Sequence, residues 1–570
     1  PAEPPAPAFN RVATFEQLGK QGNLELLGLR NTERVEFMVR RDRIATEAAL
    51  ELIYTPSPSL LPTLSHLRVF LNDELMAVLP ITAEQLGRQV RQRVALDARY
   101  IGDFNRVGLQ FVGHYTDVCE DPAHSSLWLD VSRQSSLHIT ERALAVNNDL
   151  ARFPEPFFDA RSREALVLPF VFAGPPDAAR QRAAGILASY FGSRAGWRGA
   201  RFPVSFGALP ERHAIVFATN DARPDFLRDY PAVDAPVVDM MSHPDNPYAK
   251  LLVVLGRNDD DLALAATALA LGNPLFRGRS VTIDRVQELA PRVPYDAPNW
   301  TRTDRPVTFA ELMDYPEQLQ VSGLRPRPIE LNVNLPPDLF IWRNTGIPMQ
   351  LKYRYTPPPV TDESRLNVNI NSQFIASFPL QGSDQSSDLH RLRLPLIGEN
   401  LFNPGQNVLI PALKVGDRST LRFDFSFAST VASAQRDRCQ TTLPPDVRAA
   451  VDGDSTLDFS GYHHYIALPD LRAFANTGFP FSRMADLSDT VVVVPAAASP
   501  AQVGTLLDTL GALGSHTGYP GFGVTVTTDW QAASRADADL LVIGPMPEAL
   551  RERPDTNLIL DAARSWLKQP

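Results

Sequence analysis

The run HLRVFLNDELMAVLP (His66–Pro80) has a near twin in RLNVNINSQFIASFP (Arg365–Pro379), and this pair decides the fold. Leu67, Val69 and Leu71 alternate with His66, Arg68 and Asn72, and Leu366, Val368 and Ile370 keep the same beat. A period of two marks a strand with one buried face. Asn72–Glu74 and Asn371–Gln373 then supply polar residues that tolerate a tight turn. A second alternation follows, Leu75, Ala77, Leu79 in one copy and Phe374, Ala376, Phe378 in the other, and both end on proline. Each stretch reads as a β-hairpin with those residues on its buried face. Two unrelated hairpins would not share turn, register and terminator, so the chain carries a duplication.

Matching strings extend it. YTPSPSLLP (from Tyr54) resembles YTPPPV (from Tyr355), RVATFEQLG (from Arg11) resembles RPVTFAELM (from Arg305), and LGLR (Leu27–Arg30) resembles SGLR (Ser322–Arg325). RVGLQFVGHY (from Arg106) parallels TLRFDFSF (from Thr420), and SSL at Ser135 parallels STL at Ser455. Residues 11–140 and 305–460 thus form one repeated unit of short alternating strands with Pro- and Gly-rich turns, the pattern of an antiparallel jelly-roll sandwich.

The segments between them change character. ALVLPFVFAG (Ala165–Gly174) is a continuous apolar run, as in a strand buried on both faces of a parallel sheet. It is followed by Ala179, Ala183, Ile186, Leu187 and Tyr190 at helical spacing after a Pro-Pro-Asp start. HAIVFATN (from His213) and KLLVVLGRNDDDLALAATALALG (from Lys250) repeat the strand-then-helix logic. DTVVVVPAAASPAQVGTLLDTLGALGSHTGY (from Asp489) opens a second α/β unit, with GSHTGY offset by 322 from GSRAGW (514 − 192). The expected units are 1–147 (sandwich), 148–295 (α/β), 296–468 (sandwich) and 469–570 (α/β). No segment after the second unit's third strand matches Lys250–Leu255, so further natural sequence is expected beyond residue 570.

Composition narrows the function classes. A formal net charge of −10 over 570 residues disfavours nucleic acid or an anionic membrane as main partner. Fifty prolines favour loop-rich β architecture. No apolar run reaches the ~18 residues of a spanning helix. PAEPPAPAF at the start reads as the flexible beginning of a processed chain. Two cysteines, Cys119 and Cys439, exclude a disulfide scaffold and a thiolate zinc cluster. They are counterparts in the duplication, 320 residues apart (439 − 119), and two readings stand: a bond joining the sandwiches in an oxidising compartment, or separate thiols.

No catalytic constellation emerges. GSHTG (Gly514–Gly518) lacks serine at the elbow position, so it reads as a glycine turn. No G-x-G-x-x-G follows a first strand, and the strand ends carry prolines that remove phosphate-binding amides. Asp259–Asp261 complement a helix dipole, and His463–His464 lie at a strand edge; neither has metal-site spacing. No metal and no cofactor are expected. No carboxylate pair stands out for glycoside hydrolysis. Binding remains, and Tyr115, Trp128, Trp342 and Tyr462 are the aromatic candidates for stacking on sugar rings, each weighed against an ordinary place in the core.

YTPSPSLLP, FNRVGLQFVGHYTDVCE, YFGSRAGWRG, APNWTRTDRPVTFAEL, RLNVNINSQF and PDLRAFANTGFPFSRMADLS together resemble the periplasmic regulatory subunit of bacterial cellulose synthase, the BcsB family, along essentially the whole chain. The resemblance implies two carbohydrate-binding-like jelly rolls alternating with two flavodoxin-like domains. It implies a non-catalytic, inner-membrane-associated periplasmic subunit that supports the catalytic subunit, guides the nascent β-1,4-glucan and self-associates, with a C-terminal anchor absent from this chain. The family is also linked to cyclic di-GMP. The nearest string here to a PilZ-type reader is DVSRQS (Asp130–Ser135), which lacks the motif's glycine, so that signal is expected on the catalytic partner. The competing reading is a freestanding carbohydrate-binding or carbohydrate-active sandwich protein.

Overall fold

The structure is a computed structural model. It describes residues 3–122, 124–272, 276–323, 325–340, 346–358, 360–381, 388–394, 396–397, 413–428, 447–545 and 547–548. The first unit has ten strands: β1 (Ala8–Thr14), β2 (Leu24–Leu27), β3 (Arg30–Met38), β4 (Arg43–Pro56), β5 (His66–Leu71), β6 (Glu74–Pro80), β7 (Val90–Leu96), β8 (Phe104–Val112), β9 (Trp128–Val131) and β10 (Ser136–Ala143). They form one sheet ordered β1-β10-β4-β9-β2, with β7 also on β4, and a second ordered β3-β8-β5-β6. Leu50 and Leu52 of the first sheet meet Val69, Leu109 and Phe111 of the second in one core, all fully buried. The unit is a sandwich closed by apolar area.

An α/β unit follows, with β11 (Phe170–Phe172), α1 (Ala178–Ala195), β12 (Val204–Phe206), β13 (Ala214–Thr219), β14 (Val237–His243), β15 (Asn246–Gly256), α2 (Asp259–Leu271) and β16 (Ser280–Thr282). Its sheet runs β12-β11-β13-β15-β14-β16, the first four strands parallel and the last two antiparallel additions. Asp177 caps α1 by accepting from Arg180 N, and Asn258 caps α2 ahead of three acidic residues in its first turn. Both helices pack on the face bearing Phe170, Phe172, Phe217 and Leu252. The opposite face, with Val171, Val216 and Val253, is covered by Phe226, Leu227, Tyr230 and Val233 of a proline-punctuated connection that holds only a short 3₁₀ turn. Proline bars a helix there.

The second sandwich comprises β17 (Pro306–Thr308), β18 (Gln320–Ser322), β19 (Ile329–Asn334), β20 (Ile347–Tyr355), β21 (Val360–Ile370), β22 (Gln373–Pro379), β23 (Asp388–Leu394), β24 (Arg418–Ala428), β25 (Arg448–Val451) and β26 (Thr456–Asp458). Its sheets run β17-β26-β20-β25-β18, with β23 on β20, and β19-β24-β21-β22. This is the first sandwich's order with sixteen added to every label. The second α/β unit contributes β27 (Thr490–Val493), α3 (Pro500–Thr517), β28 (Thr525–Thr527), α4 (Trp530–Arg535) and β29 (Asp539–Val542), ordered β28-β27-β29 and all parallel. That order repeats β12-β11-β13.

The opening hairpins close through two-residue turns. Asn72 and Asp73 have φ of +50° and +69°, and Asn371 and Ser372 have +48° and +69°, the signs of a type I′ turn. Asn72 Oδ1 accepts from Arg106 N, and Asn371 Oδ1 from Thr420 N, tying each turn to the next strand. Two expectations need correction. A bulge after Val69, repeated after Val368, turns Leu75 and Phe374 out to 53% and 64% exposure, while Met76 and Ile375 pack inward. The YTP strings also mislead. Ser135 Oγ accepts from Ile53 N and Ser455 Oγ from Lys352 N, so Tyr54 corresponds in space to Tyr353 and not to Tyr355.

The two α/β units share a core, with Val503 and Leu507 of α3 packed among Ile186 and Leu187 of α1. A Cβ on Gly192 would lie 1.9 Å from the Gly511 carbonyl oxygen, and one on Gly514 2.1 Å from that of Ser189. Gly192 and Gly514 are 322 residues apart, as are Ser189 and Gly511. The two contacts are one contact made from each copy, so a pseudo-two-fold axis passes between the helices.

Candidate functional site

The loops that follow β2 and β18 face each other across a cleft of about 1820 Å³ between the sandwiches. Gly28, Leu29 and Arg30 line one wall and Gly323 and Arg325 the other, so the LGLR and SGLR copies meet there. Six of the described arginines line the cleft: Arg30, Arg34, Arg325, Arg327, Arg354 and Arg448. Three described glutamates, Glu33, Glu317 and Glu363, oppose them, and neither lysine nor aspartate is among the described lining residues. Arg327 donates to the Tyr315 hydroxyl at 2.8 Å, and Arg354 lies 3.9 Å from Asp452. Arg30, Arg34 and Arg325 are exposed and make no ion pair with a described residue. In a chain of net charge −10, this surface is locally cationic.

The described aromatic candidates are not among its lining residues. Tyr115 stacks on His124 with centroids 4.0 Å apart, and its hydroxyl accepts from Asp121 N at 2.8 Å. Trp128 opens β9 opposite Leu27, half-buried, and Tyr462 is half-buried against the second core. Trp342 lies outside the described residues. Cys119 sits in the β8–β9 loop and is disulfide-bonded, whereas Cys439 lies outside the described residues. GSHTG closes α3, with Gly518 at φ +72° as its cap. Asp130 accepts from Asn23, and Ser135 is buried against Ile53, so the DVSRQS string serves the fold.

Sequence reasoning missed two carboxylate clasps. Asp42 accepts from Arg40 and lies 3.0 Å from His213 Nε2, joining the first sandwich to its α/β unit beside a second pocket of about 470 Å³. His213 Nδ1 accepts from Lys250 N, so Nε2 carries the ring proton. Burial would raise the Asp42 carboxyl, but the bonds from His213 and Arg40 outweigh it and hold the group far below the usual carboxylate range. Burial pushes His213 down despite Asp42, keeping the ring neutral. Asp338, 296 residues after Asp42, takes the same place in the second copy, with His464 Nδ1 at 3.1 Å and a hydrogen bond from the Tyr295 hydroxyl. That shared offset was the available signal. A further carboxylate pair, Asp177 capping α1 and Asp259 opening α2, is bridged by Arg180, whose backbone N donates to Asp177 and whose side chain donates to Asp259. Both carboxylates sit at helix N-termini, where they complement the helix dipoles. Among the described residues no cluster of three or more His, Cys, Asp or Glu could hold a metal, and no helix is long and apolar enough to cross a membrane.

Comparison with known proteins bears on the whole chain. Models of the first CBM, first FD, second CBM and second FD domains of cellulose synthase BcsB match residues 9–143, 149–283, 306–456 and 464–570 in that order. The chain belongs to the BcsB family. It is 54% identical to a cyclic di-GMP-binding protein of Salmonella typhi, over 99% of this chain and 74% of that one. Identity to the protein of the same name in Escherichia coli (strain K12) is 52%, over 99% and 72%. Putative cellulose synthase 2 of Komagataeibacter xylinus is 33% identical over 94% of this chain and 35% of its own length. As a BcsB-family chain, the protein is an accessory subunit of cellulose synthase.

Proposed function

We propose that this subunit works in the periplasm without catalysing glycosidic chemistry, supporting the membrane catalytic subunit and guiding the nascent β-1,4-glucan. The observation that carries the reading is the cleft between two sandwiches of identical strand order, each matched by a CBM-domain model of the family. Within it, four units divide at 147/148, 295/296 and 468/469, the sandwiches as jelly rolls and the α/β units as flavodoxin-like domains. The 2-1-3 order of parallel strands in both α/β units supports the latter label. Cys119 pairs with Cys439 and ties the sandwiches across the cleft, which suits an oxidising compartment. Copies self-associate around the glucan exit, and the subunit works at the inner membrane beside its catalytic partner.

The relatives' name raises cyclic di-GMP. With the DVSRQS side chains engaged in the fold, we assign nucleotide recognition to the catalytic partner. The test is co-expression of the full-length chain with its membrane glucosyltransferase. The reading expects co-purification and loss of extruded glucan on deletion. Hydrolysis of cello-oligosaccharides by the isolated chain, abolished by one Asp or Glu substitution, would replace it with the carbohydrate-active alternative.

A further inference from the structure

The cleft's lining does not match a neutral glucan. A neutral sugar chain leaves guanidinium groups without counter-charge, and a ligand class that leaves charges unpaired is selected against. Among the described residues six arginines face three glutamates, a formal excess of three positive charges there, and Arg30, Arg34 and Arg325 have no ion-pair partner among them. Guanidinium forks bind carboxylate or phosphate bidentately, so arginines on both walls fit such groups. The volume, about 1820 Å³, exceeds the ~300–1,000 Å³ of a typical small-molecule site, so the space suits several linked rings. Gln320, Ser322, Asn31 and Thr32 supply side chains for sugar hydroxyls along the same walls. A nucleotide would want a stacking platform, yet the lining aromatics Tyr355 and Phe427 are buried, and the His124 ring already stacks on Tyr115.

We propose that the inter-sandwich cleft is a binding site for an acid-substituted glycan, a β-glucan chain bearing carboxylate or phosphate groups, held by the exposed arginines at both walls. The proposal rests on the guide reading for the ligand being a glycan and adds the requirement for negative charge. The experiment measures binding of the full-length chain to cellohexaose, to its C6-carboxylated form and to cyclic di-GMP, at low and high salt. Variants Arg325→Gln, Arg448→Gln and the double Arg30→Gln/Arg325→Gln are compared; all three positions are exposed, so the fold is retained. The expected result is at least about tenfold tighter binding of the carboxylated hexamer, weakened about tenfold by each arginine replacement and strongly by salt. Equal affinity for both hexamers, unchanged in the variants, would overturn the acid requirement and leave the glucan guide standing. Binding of neither hexamer would overturn both. Arginine-dependent binding of cyclic di-GMP in preference to the carboxylated hexamer would reassign the cleft to a nucleotide.

Discussion

Replacing Gly192 with alanine separates helix propensity from interface geometry. In an ordinary helix interior the change gains about 1 kcal/mol. Here the new Cβ would sit 1.9 Å from the Gly511 carbonyl oxygen, and its obstacle is backbone, with no rotamer to swing aside. A carbon–oxygen contact settles near 3.3 Å or more, so the helices must part by about 1.4 Å. A gap of 0.5–1 Å already forfeits a quarter to a half of each dispersion well, and overpacking costs about 1–3 kcal/mol. With the obstacle rigid, the upper figure applies, and the net expectation is a loss of about 2 kcal/mol after the propensity gain. Gly504, in the facing helix α3, is the control. Its Cβ would meet only ordinary contacts at 3.7 Å and 3.8 Å, so Gly504→Ala should be neutral or stabilising by up to about 1 kcal/mol. In thermal melts, read at about 2–4 °C per kcal/mol, the two variants should move in opposite directions. Gly514→Ala, facing Ser189 O at 2.1 Å, should match Gly192→Ala, and the double variant should lose less than the sum because the helices have already parted. Equal shifts of one sign at Gly192 and Gly504 would refute the close contact and the pseudo-symmetry built on it.

Acidification should loosen the joint of the first sandwich. His213 binds a proton less readily folded than unfolded, so its stabilisation is full above about pH 6.5 and is lost as pH falls below that value. Asp42, depressed, adds a further loss below about pH 4. Melts of His213→Gln should show a flatter slope between pH 7 and 5, with buried His516 retaining part of it, and an unchanged slope would remove His213 from the account. Asp42→Asn strips the buried counter-charge from Arg40 and should cost about 3–5 kcal/mol at neutral pH, read from the denaturation midpoint. Ser372→Gly, at φ +69°, should gain about 0.5–1 kcal/mol, and a loss would contradict the type I′ turn. Under non-reducing conditions peptide mapping should recover Cys119 crosslinked to Cys439, and reduction should cost about 5 kcal/mol in the chain-entropy model; alkylation of both thiols in oxidised protein would end the pairing.

Much of the fold was legible because its information is local. Period two in Leu67–Leu71 and Leu366–Ile370 and the continuous run before Gly174 are written in consecutive residues. The bulge was hidden because Met76 and Ile375 are as apolar as Leu75 and Phe374, so either register satisfies the pattern. Of the site, the LGLR and SGLR strings were found, but that they face each other was not. Arg30 and Arg325 lie 295 residues apart, and no local signal states that loops so distant form one cleft. Asp42 and Asp338 were passed over for a related reason, since an isolated aspartate acquires meaning only when its histidine arrives from more than a hundred residues along the chain.

Where the two copies agree and where they part divides architecture from function. The glycine contacts of α1 and α3, the turn asparagines and the aspartate clasps recur at matched positions, each meeting a packing or hydrogen-bonding need that both copies share. The cleft keeps that equivalence at Arg30 and Arg325 and breaks it elsewhere. Arg448 pairs with Ser322 where Trp128 pairs with Leu27, and Arg354, beside Tyr353, stands where the first copy has Thr55 beside Tyr54. Arginine at an exposed strand end contributes little to a sandwich core, so stability does not account for these differences. A duplicated scaffold relaxed at these positions for packing reasons alone would scatter substitutions of any polarity. Guanidinium groups gathered on one cleft, in a chain with an overall excess of carboxylates, instead mark a surface whose charge serves binding rather than packing, which is what the acid-glycan proposal requires.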